Sequence, residues 1–435
     1  MYNLKKINKG FDLVTVPIVG IKSVTVMALF GVGSKYETES IRGISHFIEH
    51  SLFNGTKKRP SAREISQDLD RVGGQYNAFT GKEYTGYYVK VGSQYLDLGL
   101  DWLSDLLISP LFEKSLIEKE KRVIIEEINM YEDTPMQHIS DVYESLVYGD
   151  QPAGWDIIGT KATVKKMTRT KLINFKKKYY KQNNCVICIA GKFDQKKVEQ
   201  KFLRYFAKLE AGQEKVKKKP VKDRQYKARK KLKFKETDQS HCVTGFRAFD
   251  IFDSRKHVLN VLNAVLGGGM SSRLFSEIRD KRGLAYYITS EVELYTDSGY
   301  IAAQAGVDNK KLTQAIELII AEYNKLKRIS IGSQELDKVK NFLKGQSLLA
   351  MESSNAQAMY YANQMILTGK IETLEEKFKS IDAVTSKQVQ ELAQELFIDK
   401  NLNVAVIGPG KHQNGQRLEQ IFKNGFEIKN ADHNH

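Results

Sequence analysis

Cysteine, histidine and long apolar runs are all scarce in this chain of 435 residues. Three cysteines cannot build a disulfide framework, and they suit a reducing compartment. No stretch approaches about 18 uninterrupted apolar residues, so no membrane span is expected. The opening MYNLKKINKGFDL lacks the apolar core of a secretory signal, which points to a cytoplasmic protein. The chain carries a net charge of +16 but neither Cys/His finger spacing nor an RNA-recognition signature. Much of the excess is lysine in short runs such as KVKKKP and KARKKLKFK, which read as solvated surface, and no nucleic-acid partner is expected. The run Gly267-Gly268-Gly269 has no Walker lysine and no G-x-G-x-x-G spacing, so it is not read as a phosphate loop.

What is present is ordinary for a globular protein: 41% hydrophobic and 28% charged residues, in a chain long enough for two or three domains. The segment SVTVMALF at 23–30 alternates like a strand. NNCVICIAG reads as a buried strand, which would send Cys185 and Cys188 to opposite faces and argues against a C-x-x-C redox or metal site. Helical patterns begin near Gly43 and stop before Asn54-Gly55, begin again at Ser61 with Ile65, Leu69 and Val72 on one face, and cover 113–132. Gly73-Gly74 turns the chain into QYNAFT and YTGYYVKV, expected as paired strands. Residues 211–235 are polar and charged and read as a basic linker, and 426–435 as a disordered tail. A faint repeat relates REISQDLDRVGGQY at 63–76 to RLFSEIRDKRGLAY at 273–286, setting Gly73 against Gly283 and Tyr76 against Tyr286.

The most informative residues are His46-Phe-Ile-Glu-His50. Positions i and i+4 of a helix share a face, so two imidazoles can converge on one metal ion with Glu49 beside them. Two histidines and one carboxylate form a catalytic zinc set that keeps a position for water, and a neighbouring glutamate can take that water's proton. The order H-x-x-E-H is the inverzincin pattern. The third ligand must come from elsewhere. The 113–132 helix offers Glu113, Glu118, Glu120, Glu126, Glu127 and Glu132. Glu120 and Glu127 lie seven apart on one face, flanked by Ile117, Ile124 and Ile128, so one could ligate and the other orient a ligand. Spacing alone does not choose Glu127 over Glu126.

The strings HFIEHSLFNGTKKR, GGQYNAFTGKEYTGYYVKV, EKEKRVIIEEINMYEDTP and NAVLGGGMSSRLFSEIRDKRGLAYYI, with PAGWDIIGT and FKKKYYKQNNCVICIAGKFD between them, resemble the pitrilysin/insulinase-type metallopeptidases. The likeness is strongest to the two-domain subclass that includes mitochondrial processing peptidase. The resemblance implies that His46, His50 and Glu127 bind one Zn²⁺ per chain, that Glu49 is the general base acting on zinc-bound water, and that Glu120 supports the ligands. It implies that Arg279 and Tyr286, seven residues apart, hold the substrate and polarise its carbonyl, with Arg282 and Tyr287 out of register. It also implies that Asn77 and Ala78 sit on an edge strand to which an extended peptide adds. His₂Glu sets also accept Co²⁺ or Mn²⁺.

The fold class expected is α+β, with two similar domains at 1–210 and 236–425, each an antiparallel-rich sheet backed by helices. The expected function is a zinc endopeptidase acting on unfolded peptides or polypeptide segments in an enclosed chamber. A homodimer would be the simplest assembly, with a heterodimer with an inactive relative as the other arrangement. The alternative is a non-catalytic or partner-dependent subunit that only holds peptides.

Overall fold

The structure, a computed structural model, describes residues 2–7, 11–213, 217–222, 224–409, 416 and 419. The expected tail at 426–435 lies outside them. Two compact units each combine one sheet with helices, which is the α+β architecture the sequence suggests.

In the first unit six strands run in the order β1 (Asn3–Ile7), β2 (Phe11–Pro17), β6 (Cys185–Gly191), β3 (Ser23–Phe30), β5 (Thr85–Gly92), β4 (Gln75–Thr80). Only β2 and β6 pair in parallel. Every residue of β3 after Ser23 is buried, because both faces of the sheet are covered. Val24, Val26, Ala28 and Phe30 pack with α1 (Ile44–Leu52), α2 (Ala62–Asp70), α3 (Leu96–Ile108) and α4 (Lys114–Glu132). Met27 and Leu29 face the helix Ser354–Thr368, whose small Ala358 and Ala362 allow close approach and whose Ser354 hydroxyl lies 2.8 Å from that of Thr25. Cys185 joins the first of these cores and Cys188 the second, as a strand requires.

The second unit has the order β7 (Arg229–Phe234), β11 (Leu402–Gly408), β8 (Gln239–Ala248), β10 (Gly299–Asp308), β9 (Ala285–Leu294), with β7 and β11 parallel. One face carries the helices Lys256–Gly267, Leu312–Arg328 and Ser386–Leu396. The other is covered by α5 (Pro135–Tyr148) through Ile139, Val142, Tyr143 and Val147.

Two differences from the sequence reading have physical reasons. The end of the expected linker is β7, an edge strand in which lysines are tolerated because its outer side faces water. The units are also not contiguous in sequence: residues 131–154 belong with the second and 348–372 with the first. An amphipathic helix announces that it has a buried face without announcing which sheet buries it. The two glycines aligned by the repeat, Gly73 (φ +66°) and Gly283 (φ +55°), both take the left-handed conformation ahead of β4 and β9.

The loop after α1 is held by the buried Arg59, whose guanidinium donates to Asp68 (2.7 Å), Asp101 (2.8 Å) and Asp105 (2.8 Å). Burial alone would raise Asp101, but hydrogen bonds from Lys58 and Arg59 outweigh it and hold that carboxyl below its ordinary value. A depressed carboxylate stabilises the fold above its unfolded pKa, near 4, and the contribution is lost as pH falls through the lower folded value. Arg59→Met should therefore cost about 1–3 kcal/mol at pH 7 by leaving three partly buried carboxylates short of their donor. In urea unfolding, that cost should shrink below about pH 4; an equal cost at pH 7 and pH 3 would count against the ion cluster.

Candidate metal centre

Helix α1 is short and two-faced. Ile44, Phe47, Ile48 and Leu52 fill the core, so His46, Glu49 and His50 are left together on the half-buried side. Helix α4 is anchored in the same core by Ile117, Ile124 and Ile128, which turns Glu120 and Glu127 toward α1. One oxygen of Glu127 is 3.8 Å from His46 Nε2 and the other is 3.5 Å from His50 Nε2. The three candidate ligand atoms lie within 4.8 Å of one another. Bonds of 2.0–2.1 Å in a tetrahedron place neighbouring ligand atoms about 3.3 Å apart, so the two carboxylate–imidazole distances need to close by only a few tenths of an ångström around a zinc-sized ion. Glu126 is exposed and accepts from Asn129 at 3.2 Å, so the structure separates the two glutamates that spacing could not.

Glu120 does not reach the cluster centre. Its Oε1 accepts from His50 Nδ1 at 2.8 Å and its Oε2 from Asn54 Nδ2 at 2.9 Å. With Nδ1 engaged by Glu120, Nε2 is the His50 nitrogen left on the Glu127 side to face a metal. His46 has no such backing: its Nδ1 is buried without a hydrogen-bond partner among the described residues. The electrostatics follow. Burial, helped by the neighbouring His50, pushes His46 down to about 3, which keeps its imidazole neutral. Burial also lowers His50, but the hydrogen bond and charge of Glu120, with Glu127 and Glu49, outweigh it and the net direction is up. Glu120, which burial alone would raise, is held down by His50 and Asn54. Burial raises Glu127 and Glu49.

Glu49 is held by a residue the sequence reading quoted without a role. The Thr80 hydroxyl, at the end of β4, donates to Glu49 Oε2. Asn54, read only as a turn residue, is the second such omission. Neither carries a sequence signal, because each matters only once β4 and α4 lie beside α1. Asn77 and Ala78 are on β4, at the end of the sheet order, and the Ala78 N–H donates to Asn77 Oδ1 at 2.9 Å. A peptide strand adding there would have to displace that bond.

Arg279 and Tyr286 belong to the second unit. Arg279 lies on a short π-helical segment, Phe275–Asp280, with its guanidinium 4.9 Å from the centre of the Phe275 ring. Tyr286, on β9, is 59% exposed. Their out-of-register neighbours are engaged: Arg282 pairs with Glu277, and the Tyr287 hydroxyl is 2.9 Å from His241 Nδ1.

Comparison with known proteins gives the family. Residues 19–161 match the model of the insulinase family of peptidases (M16), and 166–343 match that of the "Peptidase M16 inactive domain". The uncharacterized zinc protease YmxG of Bacillus subtilis is 38% identical over 89% of this chain and 94% of its own. A similarly described zinc protease of Streptomyces coelicolor is 32% identical over 94% and 90%. The crystal structure of a protease from Helicobacter pylori superposes with a TM-score of 0.88 at 25% identity, covering 94% of this chain and 99% of that one. An M16 structure from Pseudomonas fluorescens shares the fold at 18% identity, with a TM-score of 0.87 over 94% of this chain and 98% of its own. The chain belongs to the M16 insulinase family of peptidases. Among the described residues no helix is long and apolar enough to cross a membrane.

Proposed function

We propose that the protein is a zinc-dependent endopeptidase that hydrolyses peptide bonds in unfolded peptides or polypeptide segments. The observation that carries this reading is the cluster itself. His46, His50 and Glu127 aim ligand atoms at one point, and Glu49 stands on the same helix face with Thr80 holding one of its oxygens. Zinc held there would supply Lewis acidity toward the peptide carbonyl and make water acidic near neutral pH. Glu49 then takes the proton from the attacking water and delivers it to the departing amine. Glu120 keeps His50 turned to the metal. The substrate backbone adds to the edge of β4 near Asn77 and Ala78, which favours extended over folded chains.

Arg279 and Tyr286 are the residues we assign to substrate holding and to donation toward the carbonyl oxygen. The assembly we favour is a homodimer enclosing a chamber, in which they serve the partner subunit's metal. The match of 166–343 to a family model described as inactive supports a division of labour, with the metal chemistry confined to the first half.

The test is cleavage of quenched fluorescent peptides by the purified protein with a chelator, and then with zinc returned. Cleavage should vanish with chelator and return with zinc. A folded, zinc-loaded protein that cleaves nothing would favour the peptide-holding reading instead.

A further inference from the structure

Helix α1 begins without a cap of its own. Its N-cap residue is Gly43, at φ +87°, which has no side chain to accept the first backbone N–H groups. A side chain could not be accommodated: a Cβ on Gly43 would stand 2.5 Å from the Ile158 carbonyl oxygen. The missing acceptor comes from a residue before the helix. Glu37, 3% exposed, takes the Gly43 N–H on Oε2 at 2.7 Å and the Ser45 N–H on Oε1 at 2.9 Å. One carboxyl thus serves the N-cap and N2 amides together, much as the two side chains of a capping box serve N-cap and N3. It does so directly before His46 and within two turns of Glu49 and His50.

Glu37 is itself held in place. Its loop is zipped to the turn that follows β4, with Ser34 N–H donating to the Gly81 carbonyl (3.3 Å) and Lys35 N–H to that of Lys82 (2.9 Å). The Lys35 and Glu83 side chains form a buried ion pair at 2.8 Å. Lys82, whose charge favours ionised Glu37, anchors its ammonium on the Trp155 carbonyl at 2.6 Å. The turn so engaged starts one residue after Thr80, the partner of Glu49. The segment that caps α1 is therefore tied by backbone hydrogen bonds and a buried ion pair to the turn that follows the strand steadying the base.

We infer that Glu37 is a positioning residue for the metal centre, fixing the first turn of α1 so that His46 and His50 meet Glu127. This deepens the zinc-peptidase reading and rests on it. An ordinary buried hydrogen bond would serve stability alone. Here the bonded amides flank His46 on its N-terminal side, and His46 has no hydrogen-bonded support at Nδ1, so the helix backbone is what holds that ring. The contribution is one of acceptor geometry. Burial pushes the Glu37 carboxyl up to about 8, against the pull of the two backbone bonds and of Lys82. Gln presents an NH₂ where a second acceptor is required, and one of the two backbone N–H groups loses its partner.

The experiment measures zinc affinity by competition with a chromophoric chelator and records the visible spectrum of the cobalt-loaded protein, for wild type, Glu37→Gln and Glu37→Asp. Thermal unfolding of each apoprotein is followed in parallel. Wild type that binds no zinc overturns the peptidase reading, and this inference with it. If wild type binds zinc, Glu37→Gln should bind it about 10–100-fold more weakly, with an altered cobalt spectrum, as supporting residues around metal ligands typically do. Glu37→Asp, which keeps two acceptor oxygens on a shorter reach, should recover part of the affinity. Glu37→Gln with wild-type zinc affinity and cobalt spectrum overturns the inference even if it melts earlier, because the cap would then serve stability only. Should Glu37→Gln not fold, Glu37→Asp decides: folded and weakened supports the inference, folded with wild-type zinc binding and spectrum overturns it.

Discussion

Glu49→Gln should keep its fold and its zinc while losing about 10²–10⁴-fold in kcat/KM toward unfolded peptides, the range expected when a positioned general base is removed. The variant isolates proton transfer because little else changes. Gln has the shape of Glu, its amide oxygen can still accept from the Thr80 hydroxyl, and the three candidate ligands are left intact. What it lacks is an atom that can take a proton near neutral pH. Zinc content by elemental analysis and kcat/KM from quenched peptides together check the expectation. Turnover equal to wild type would remove Glu49 from the mechanism. Loss of zinc along with activity would mean that Glu49 also shapes the ligand set.

Legibility in the sequence divides along the same lines as the physics. Features written in local spacing could be read directly. The i, i+4 pair His46 and His50 shares a helix face, and Cys185 and Cys188 fall on opposite faces of β6 because residues three apart in a strand must. Val24 to Phe30 form a strand, but its burial on both faces was not legible, since the covering helix Ser354–Thr368 lies more than 300 residues away in sequence. The same holds for α5, assigned by continuity to the first half and packed on the second sheet. Apolar periodicity states that a face will be buried and leaves its partner open. At the site, Glu120 and Glu127 were legible as a pair on one face. The choice between Glu127 and Glu126 needed either the family pattern or the placement of α4. Thr80, Asn54 and Glu37 carried no signal, because a single Thr, Asn or Glu becomes special only through what folding sets beside it.

Those three glutamates of α4 offer the second large effect, a graded one. Glu127→Ala should weaken zinc binding by more than about 100-fold and abolish chelator-sensitive cleavage, because it removes the carboxylate whose oxygens approach both histidine Nε2 atoms, at 3.8 and 3.5 Å, and so exceeds the usual cost of losing a ligand's support. Glu120→Gln should cost about 10–100-fold in affinity, acting through the tautomer and orientation of His50. Glu126→Ala should leave both measurements unchanged, since that side chain is exposed and its hydrogen bond is to Asn129. The series is informative because charge is lost at three neighbouring positions of one helix. A general electrostatic attraction of acidic residues for a cation would give three comparable losses, whereas ligation predicts a steep order from Glu127 through Glu120 to Glu126. Equal losses at Glu126 and Glu127, in zinc titrations of folded variants, would refute the assignment of Glu127. An order with Glu120 above Glu127 would move the metal toward the Nδ1 side of His50, where the hydrogen bond to Glu120 now lies.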